Sequence, residues 1–315
     1  MSQVMIRDDV PRIELLDGGH LACPGCGAPL AMRMVLKELG ENTVVVLPAC
    51  CWSIIAGPYP QSSLHVPLYH TAFATGAAVA SGVRAALDVR GDTDTNVLVW
   101  AGDGGTFDIG LQALSGAAER NENFIYVCYD NEAYMNTGIQ RSSATPWGAW
   151  TTTTPVTQPQ ATGKKDILAI MAAHRIPYAA TASVSHPLDL LQKVRKAKAM
   201  RGTRFLHILS PCPPGWKFED ERTIELGRAA VQNRVFPLVE VVDGTDWRIT
   251  VDEPPVPVEP YIRAQGRFRH LDEDAIAQAQ LAVDARWAQL QRLVSTSPGG
   301  PRPDGPLLAA TELLP

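Results

Sequence analysis

The sequence predicts an α/β fold: a doubly wound, mainly parallel sheet with an extended C-terminal segment. Five short, almost wholly apolar runs recur along the chain, and helical patterns fill the gaps between them. Runs that are apolar on both faces suit parallel strands covered by helices. Their alternation with helices implies right-handed crossovers. The residues with unusual chemistry collect just past the ends of these runs, where open α/β sheets bind ligands.

A helix over 28–39 precedes the first strand, 44–47, which ends at Pro48 and a pair of cysteines. A small-residue helix over 75–87 leads to the strand 97–101, which ends in Gly-Asp-Gly-Gly. A helix over 109–120 then connects to the strand 124–129, which runs into Asp130 and Asn131. The pairs 166–173 with 178–182 and 187–200 with 205–209 complete the alternation, and the last strand ends in Ser-Pro-Cys-Pro-Pro-Gly-Trp. Beyond Trp216 the character changes. Residues 223–233 read as a helix and 239–251 as a hairpin. The stretch 252–260, with four prolines in nine residues, reads as a stiff connector. Residues 272–294 form a helical pattern, and the proline- and glycine-rich end is an arm or disordered tail. We therefore divide the chain into a main domain, 1–234, and a C-terminal extension, 235–315, that touches a partner.

With 315 residues, 45% hydrophobic and 19% charged, the chain has the composition of an ordinary globular protein able to bury a large core. A net charge of -5 gives no basic face for nucleic acid. No apolar run approaches the roughly 20 residues of a membrane span, and the N-terminal residues lack the apolar stretch of a signal peptide. A cytoplasmic protein is expected, with its six cysteines reduced and used for metal binding or burial.

Gly102, Asp103, Gly104 and Gly105 end a strand ahead of a helix. Glycines there let the backbone approach a phosphate, and an aspartate can hold a hard cation. Taken alone, Gly-Asp-Gly also fits a capped turn. Asn131, 28 residues after Asp103, stands at the end of the next strand, and a turn needs no such partner. Oxygen ligands from both can complete an octahedral Mg²⁺ shared with a diphosphate. These residues resemble the thiamine-diphosphate enzymes, in which Gly-Asp-Gly is followed about 25–30 residues later by an asparagine. That resemblance implies Mg²⁺ bound by Asp103, Asn131 and the Ala133 carbonyl.

Cys23 and Cys26 form a Cys-x-x-Cys ahead of a helix, while Cys51 and Cys212 lie at the ends of the first and last strands. Four thiolates on one face can hold Zn²⁺ or a [4Fe–4S] cluster. With the Gly-Asp-Gly site in the same chain, this arrangement closely resembles the β subunits of pyruvate/2-oxoacid:ferredoxin oxidoreductases. The likeness runs from about Gly19 to Leu271. It includes Cys-Pro-Gly-Cys-Gly, Asp108-Ile109-Gly110, Tyr134 to Gly138, Lys164-Lys165-Asp166, Pro211 to Trp216 and Gln265-Gly266-Arg267-Phe268. It implies a thiamine-diphosphate-binding sheet and a [4Fe–4S] cluster on Cys23, Cys26, Cys51 and Cys212. Cys51 is favoured over its neighbour Cys50, and Cys128 reads as a small buried hydrophobe.

The family further implies oxidative decarboxylation of a 2-oxoacid, with pyruvate as the default and oxalate or others open. Electrons would pass through the cluster to clusters in a partner and on to ferredoxin, and coenzyme A usually takes the acyl group. No glutamate here stands in a motif for activating the aminopyrimidine ring. In the family it comes from another domain or subunit, so this chain is expected to be half of an active site among α-, γ- or δ-type partners. Asn136 matches a family position near thiamine and substrate and is taken as catalytic. Tyr134 packs against the cofactor or its own loop, and His70 lines the site or is a structural histidine; His65 and His207 read as structural. The threonines 151–154 suggest an active-site or interface loop. A non-oxidative thiamine decarboxylase or synthase subunit would not need four cysteines at strand ends. A zinc-stabilised scaffold would leave Asp103 and Asn131 idle.

Overall fold

The computed structural model describes residues 10–298. Strands β1 (Thr43–Pro48), β2 (Leu68–Thr71), β3 (Asn96–Gly102), β4 (Phe124–Asp130), β5 (Tyr178–Ser183), β6 (Thr203–Leu209), β7 (Leu238–Val242) and β8 (Asp246–Val251) form one sheet, in the order β2-β1-β3-β4-β6-β5-β7-β8. The first six are parallel; β7 pairs antiparallel with β5, and β8 with β7. The five apolar runs are thus the five inner parallel strands. β2, four residues with an exposed middle, is the edge strand that no apolar run announces.

Successive side chains of each inner strand serve opposite faces. Val45, Leu47, Leu98, Trp100, Ile125 and Val127 enter one core, against α1 (Gly27–Leu39) and α6 (Pro187–Ala199). Val46, Val97, Val99, Phe124 and Tyr126 enter the other, against α3 (Gly76–Val89), α4 (Leu111–Glu119) and α5 (Ile167–Ala173). Two short helices fall between these elements, α2 (Trp52–Ile55) after β1 and α7 (Pro213–Trp216) after β6. A third apolar cluster joins α7 and α8 (Thr223–Gln232) to the C-terminal segment through Trp216, Leu226, Leu238, Tyr261 and Phe268. That segment contains α9 (Glu259–Arg263) and α10 (Glu273–Ser295). The hairpin expected in the extension therefore continues the main sheet, and α10 packs on β8. The expected tail beyond Pro298 lies outside the described residues. Among the described residues, no helix is long and apolar enough to cross a membrane.

β1 has β2 on one side and β3 on the other, so the crossovers diverge there. The crevice outside such a switch point is the natural ligand site of a doubly wound sheet.

Candidate active site

A cleft of about 400 Å³ opens at that switch point, lined by Ala49, Cys50 and Cys51 after β1, Gly102 to Gly105 after β3, and Asn131 and Ala133 to Thr137 after β4. Of the residues singled out from sequence, Gly102, Asp103, Gly104, Gly105, Asn131, Ala133, Tyr134 and Asn136 all meet here. His70 does not: it stands exposed on β2, outside the cleft lining.

The turn after β3 runs into a π-helical turn, Gly104–Asp108, before α4. Such turns recur at functional sites because the wider ring redirects backbone groups. Tyr134 closes over it, donating to Asp108 Oδ2 at 2.6 Å. A Cβ on residue 104 would lie 1.9 Å from the Tyr134 ring, so only glycine fits. We expect Gly104→Ala to destabilise the fold by about 1–3 kcal/mol through overpacking. A lowered melting temperature would show it, and an unchanged one would mean that the Tyr134 ring moves aside freely.

Asp103 is buried, and its Oδ2 accepts the Ser142 hydroxyl at 2.5 Å. The Asn131 carboxamide lies 3.0 Å from Asp103 Oδ1 and 2.9 Å from the Ala133 carbonyl, where its NH₂ donates to both; with its oxygen turned inward the three would form an all-oxygen set. Three oxygens at these spacings would enclose a cation. The cis edge of an octahedron with metal–oxygen bonds of 2.0–2.1 Å is about 2.9 Å. Burial, reinforced by the nearby Asp130 carboxylate, pushes the Asp103 carboxyl well above the usual range. Positive charge is what this oxygen set lacks, and a small hard cation fits it.

The cysteines converge from three directions. The Cys23–Cys26 loop turns at Gly25, with φ +66°, where a Cβ would lie 2.1 Å from the Asp220 carbonyl. Gly27 N–H donates to the Pro211 carbonyl at 3.3 Å, which seats the loop beside Cys212. Burial and then Cys23 push the Cys26 thiol up to about 11. Burial raises Cys212 to about 12, with Cys26 and Cys23 adding to it against a Gly215 N–H. Burial also raises Cys51, and its thiol feels the charges of Cys50, then Cys212 and Cys26. Burial raises the Cys50 thiol too, with the Tyr129 hydroxyl and nearby backbone N–H groups acting against it. Cys26, Cys51 and Cys212 thus feel one another's charge, and Cys23 acts on Cys26 and Cys212. They are not closed into a cage: among the described residues, no three His, Cys, Asp or Glu side chains are grouped to hold a metal ion.

Sequence reasoning singled out neither Ser142 nor Phe73. Ser142 reaches Asp103 from a loop 39 residues away, and Phe73 lines the cleft beside Gly105. No local pattern marks either. Cys128 is fully buried in β4. The loop after the cleft folds on itself: Thr151 is buried, and its hydroxyl pairs with that of Thr154 at 2.7 Å.

Residues 50–208 match the family described as thiamine pyrophosphate enzyme, C-terminal TPP binding domain. The ketoisovalerate oxidoreductase subunit VorB of Pyrococcus horikoshii is 48% identical over 302 residues, which is 92% of this chain and 97% of that one. The pyruvate synthase subunit PorB of Methanothermobacter thermautotrophicus is 51% identical over 288 residues, 90% of this chain and 99% of its own. A solved 2-oxoglutarate:ferredoxin oxidoreductase from Magnetococcus marinus shares the fold with a TM-score of 0.55. It is 23% identical, covering 71% of this chain and 82% of that one.

Proposed function

Because the chain belongs to the β subunits of thiamine-diphosphate-dependent 2-oxoacid:ferredoxin oxidoreductases, we propose that it is the diphosphate- and metal-holding half of such an active site, passing electrons through its own [4Fe–4S] cluster toward ferredoxin. The observation that carries this reading is the convergence of Asp103, the Asn131 carboxamide and the Ala133 carbonyl in the same cleft that Cys50 and Cys51 line. In it, Asp103, Asn131 and the Ala133 carbonyl hold Mg²⁺, and Gly102, Gly104 and Gly105 let the diphosphate approach the backbone. Cys23, Cys26, Cys51 and Cys212 hold the cluster.

Bound thiamine diphosphate supplies the electron sink for decarboxylation. The chain's own groups orient it. Tyr134, fixed by Asp108, walls the cleft over Gly104, and Asn136, exposed at the cleft mouth, faces the substrate side. Of the two adjacent thiols lining the cleft, Cys51 is assigned to the cluster, because its thiol feels the charges of Cys212 and Cys26. The substrate class is a 2-oxoacid. Relatives named for ketoisovalerate and for pyruvate support a short or branched aliphatic acid.

The aminopyrimidine-activating carboxylate is assigned to a partner subunit. Asp130 and Glu132, the acidic residues flanking Asn131, are buried and engaged, Asp130 by Lys164 and His207 and Glu132 by Lys164 and Arg267. The lone chain, reconstituted anaerobically with Mg²⁺ and thiamine diphosphate, is therefore expected to reduce no viologen with pyruvate or 2-oxoisovalerate. Adding the partner subunits restores turnover. Robust turnover by the chain alone would refute the half-site.

A further inference from the structure

Two sequence segments found no use in the site, one at Lys164 and one at Arg267, and both lie directly behind the loop that offers Asn131 and Ala133. Asp130, the last residue of β4, is fully buried. Its Oδ2 meets Lys164 Nζ at 2.5 Å and His207 Nε2 at 2.6 Å, and its Oδ1 accepts the Glu132 N–H at 2.9 Å. Glu132 receives Lys164 on Oε1 at 2.9 Å and Arg267 on Oε2 at 2.6 Å. Two carboxylates and two cations thus balance in a buried lattice. Burial holds His207 below its ordinary value, consistent with a neutral donor to Asp130.

Glu132 has φ +68°, in the left-handed region that side chains other than glycine enter at a cost. It is the residue between Asn131 and Ala133, and its turn aims the Asn131 carboxamide and the Ala133 carbonyl at one point, 2.9 Å apart. The paired carboxylate, and the Thr145 hydroxyl donating to its carbonyl at 2.7 Å, hold that turn. Arg267 also stacks on Trp216, 4.0 Å from the ring centroid, and the Trp216 indole N–H donates to the Asn131 carbonyl at 2.8 Å. Trp216 ends α7, which starts immediately after Cys212.

We propose that Glu132, Arg267 and Trp216 are positioning residues for the metal half-site, and that Trp216 is a strut joining that half-site to the Cys212 loop. The proposal rests on the Mg²⁺–diphosphate reading above. A ligand pair fixed beforehand binds without an ordering cost, and supporting contacts of this kind typically weigh about 10–100-fold in metal affinity.

The test uses the assembled complex, stripped of Mg²⁺ and thiamine diphosphate and titrated with both by calorimetry. Trp216→Phe keeps an aromatic face for Arg267 and deletes the donor to Asn131. It is expected to weaken cofactor binding about tenfold while iron content stays at the wild-type level. At saturating cofactor, kcat is expected to stay within about twofold of wild type. A purely structural role would lower the melting temperature of the cofactor-free complex and leave the affinity alone, and that result would overturn the proposal. Cofactor binding is also expected to alter the EPR spectrum of the reduced cluster in wild type but not in Trp216→Phe. The same alteration in both, or none in wild type, would remove the strut. If Trp216→Phe fails to assemble, Arg267→Lys keeps the charge on Glu132 but loses the planar stack. It is expected to weaken binding in the same direction, and unchanged affinity would overturn the proposal. Asp103→Ala run in parallel separates the two ideas: retained cofactor there refutes the site, whereas loss there with normal affinity in Trp216→Phe refutes the positioning alone.

Discussion

Asp103→Ala is expected to abolish retention of thiamine diphosphate while the iron content of the complex stays at the wild-type level. The carboxylate is the one formal anion among Asp103, the Asn131 carboxamide and the Ala133 carbonyl, so its loss removes most of the attraction for a divalent cation. Altering mere supporting residues around metals costs about 10–100-fold in affinity. Losing a direct anionic ligand should cost at least about 100-fold, so the cofactor washes away during purification. The cofactor-free protein responds in the opposite sense. A buried carboxylate whose pKa is pushed up by burial and by Asp130 is a burden on the fold, offset in part by the Ser142 hydroxyl. The cofactor-free variant should therefore melt no lower than the cofactor-free wild type. Cofactor analysis after gel filtration, iron analysis and a melting curve read all three outcomes. Stoichiometric cofactor with normal turnover would show that Asp103 is not the metal ligand.

Cys51→Ser is expected to cost the cluster, with iron and the brown absorption falling to near zero, and Cys50→Ser is expected to keep both. The two thiols are adjacent and line the same cleft, so the expectation rests on which charges each one feels. Cys51 lies within electrostatic reach of Cys212 and Cys26, whereas Cys50 is engaged by Tyr129 and by backbone N–H groups including that of Gly102. A serine at residue 50 can still accept from Tyr129. A serine at residue 51 leaves three thiolates, and an alkoxide is a poor substitute on iron. Iron and sulfide analysis with the EPR signal of the reduced protein decides it. Cluster loss in Cys50→Ser alone would reverse the assignment.

Local sequence was enough for the five inner strands, the helices between them and the placing of chemistry at the strand ends. Buried parallel strands must be apolar on both faces, and residues 97–101 and 124–129 announce themselves in that way. It was also enough to bring Asp103 beside Asn131, because one crossover unit brings neighbouring strand ends together. Edge strand β2 was not legible. Its four residues carry no apolar run, and it is a strand because it pairs with β1, with Val45 opposite Leu68.

By itself, then, the sequence determined the α/β class, the strand ends that gather the site and the residue types available there. Only the tertiary structure decided which side chains meet: Ser142 on Asp103, His70 outside the cleft, and Lys164 and Arg267 on either side of Glu132. The physical reason lies in the range of the interactions. Hydrophobic periodicity is a local property that a strand or helix expresses wherever it is placed. A hydrogen bond or buried ion pair needs two side chains within about 3 Å. For Arg267 and Glu132, 135 residues apart, that closeness exists only once the sheet, its loops and the C-terminal segment have packed together.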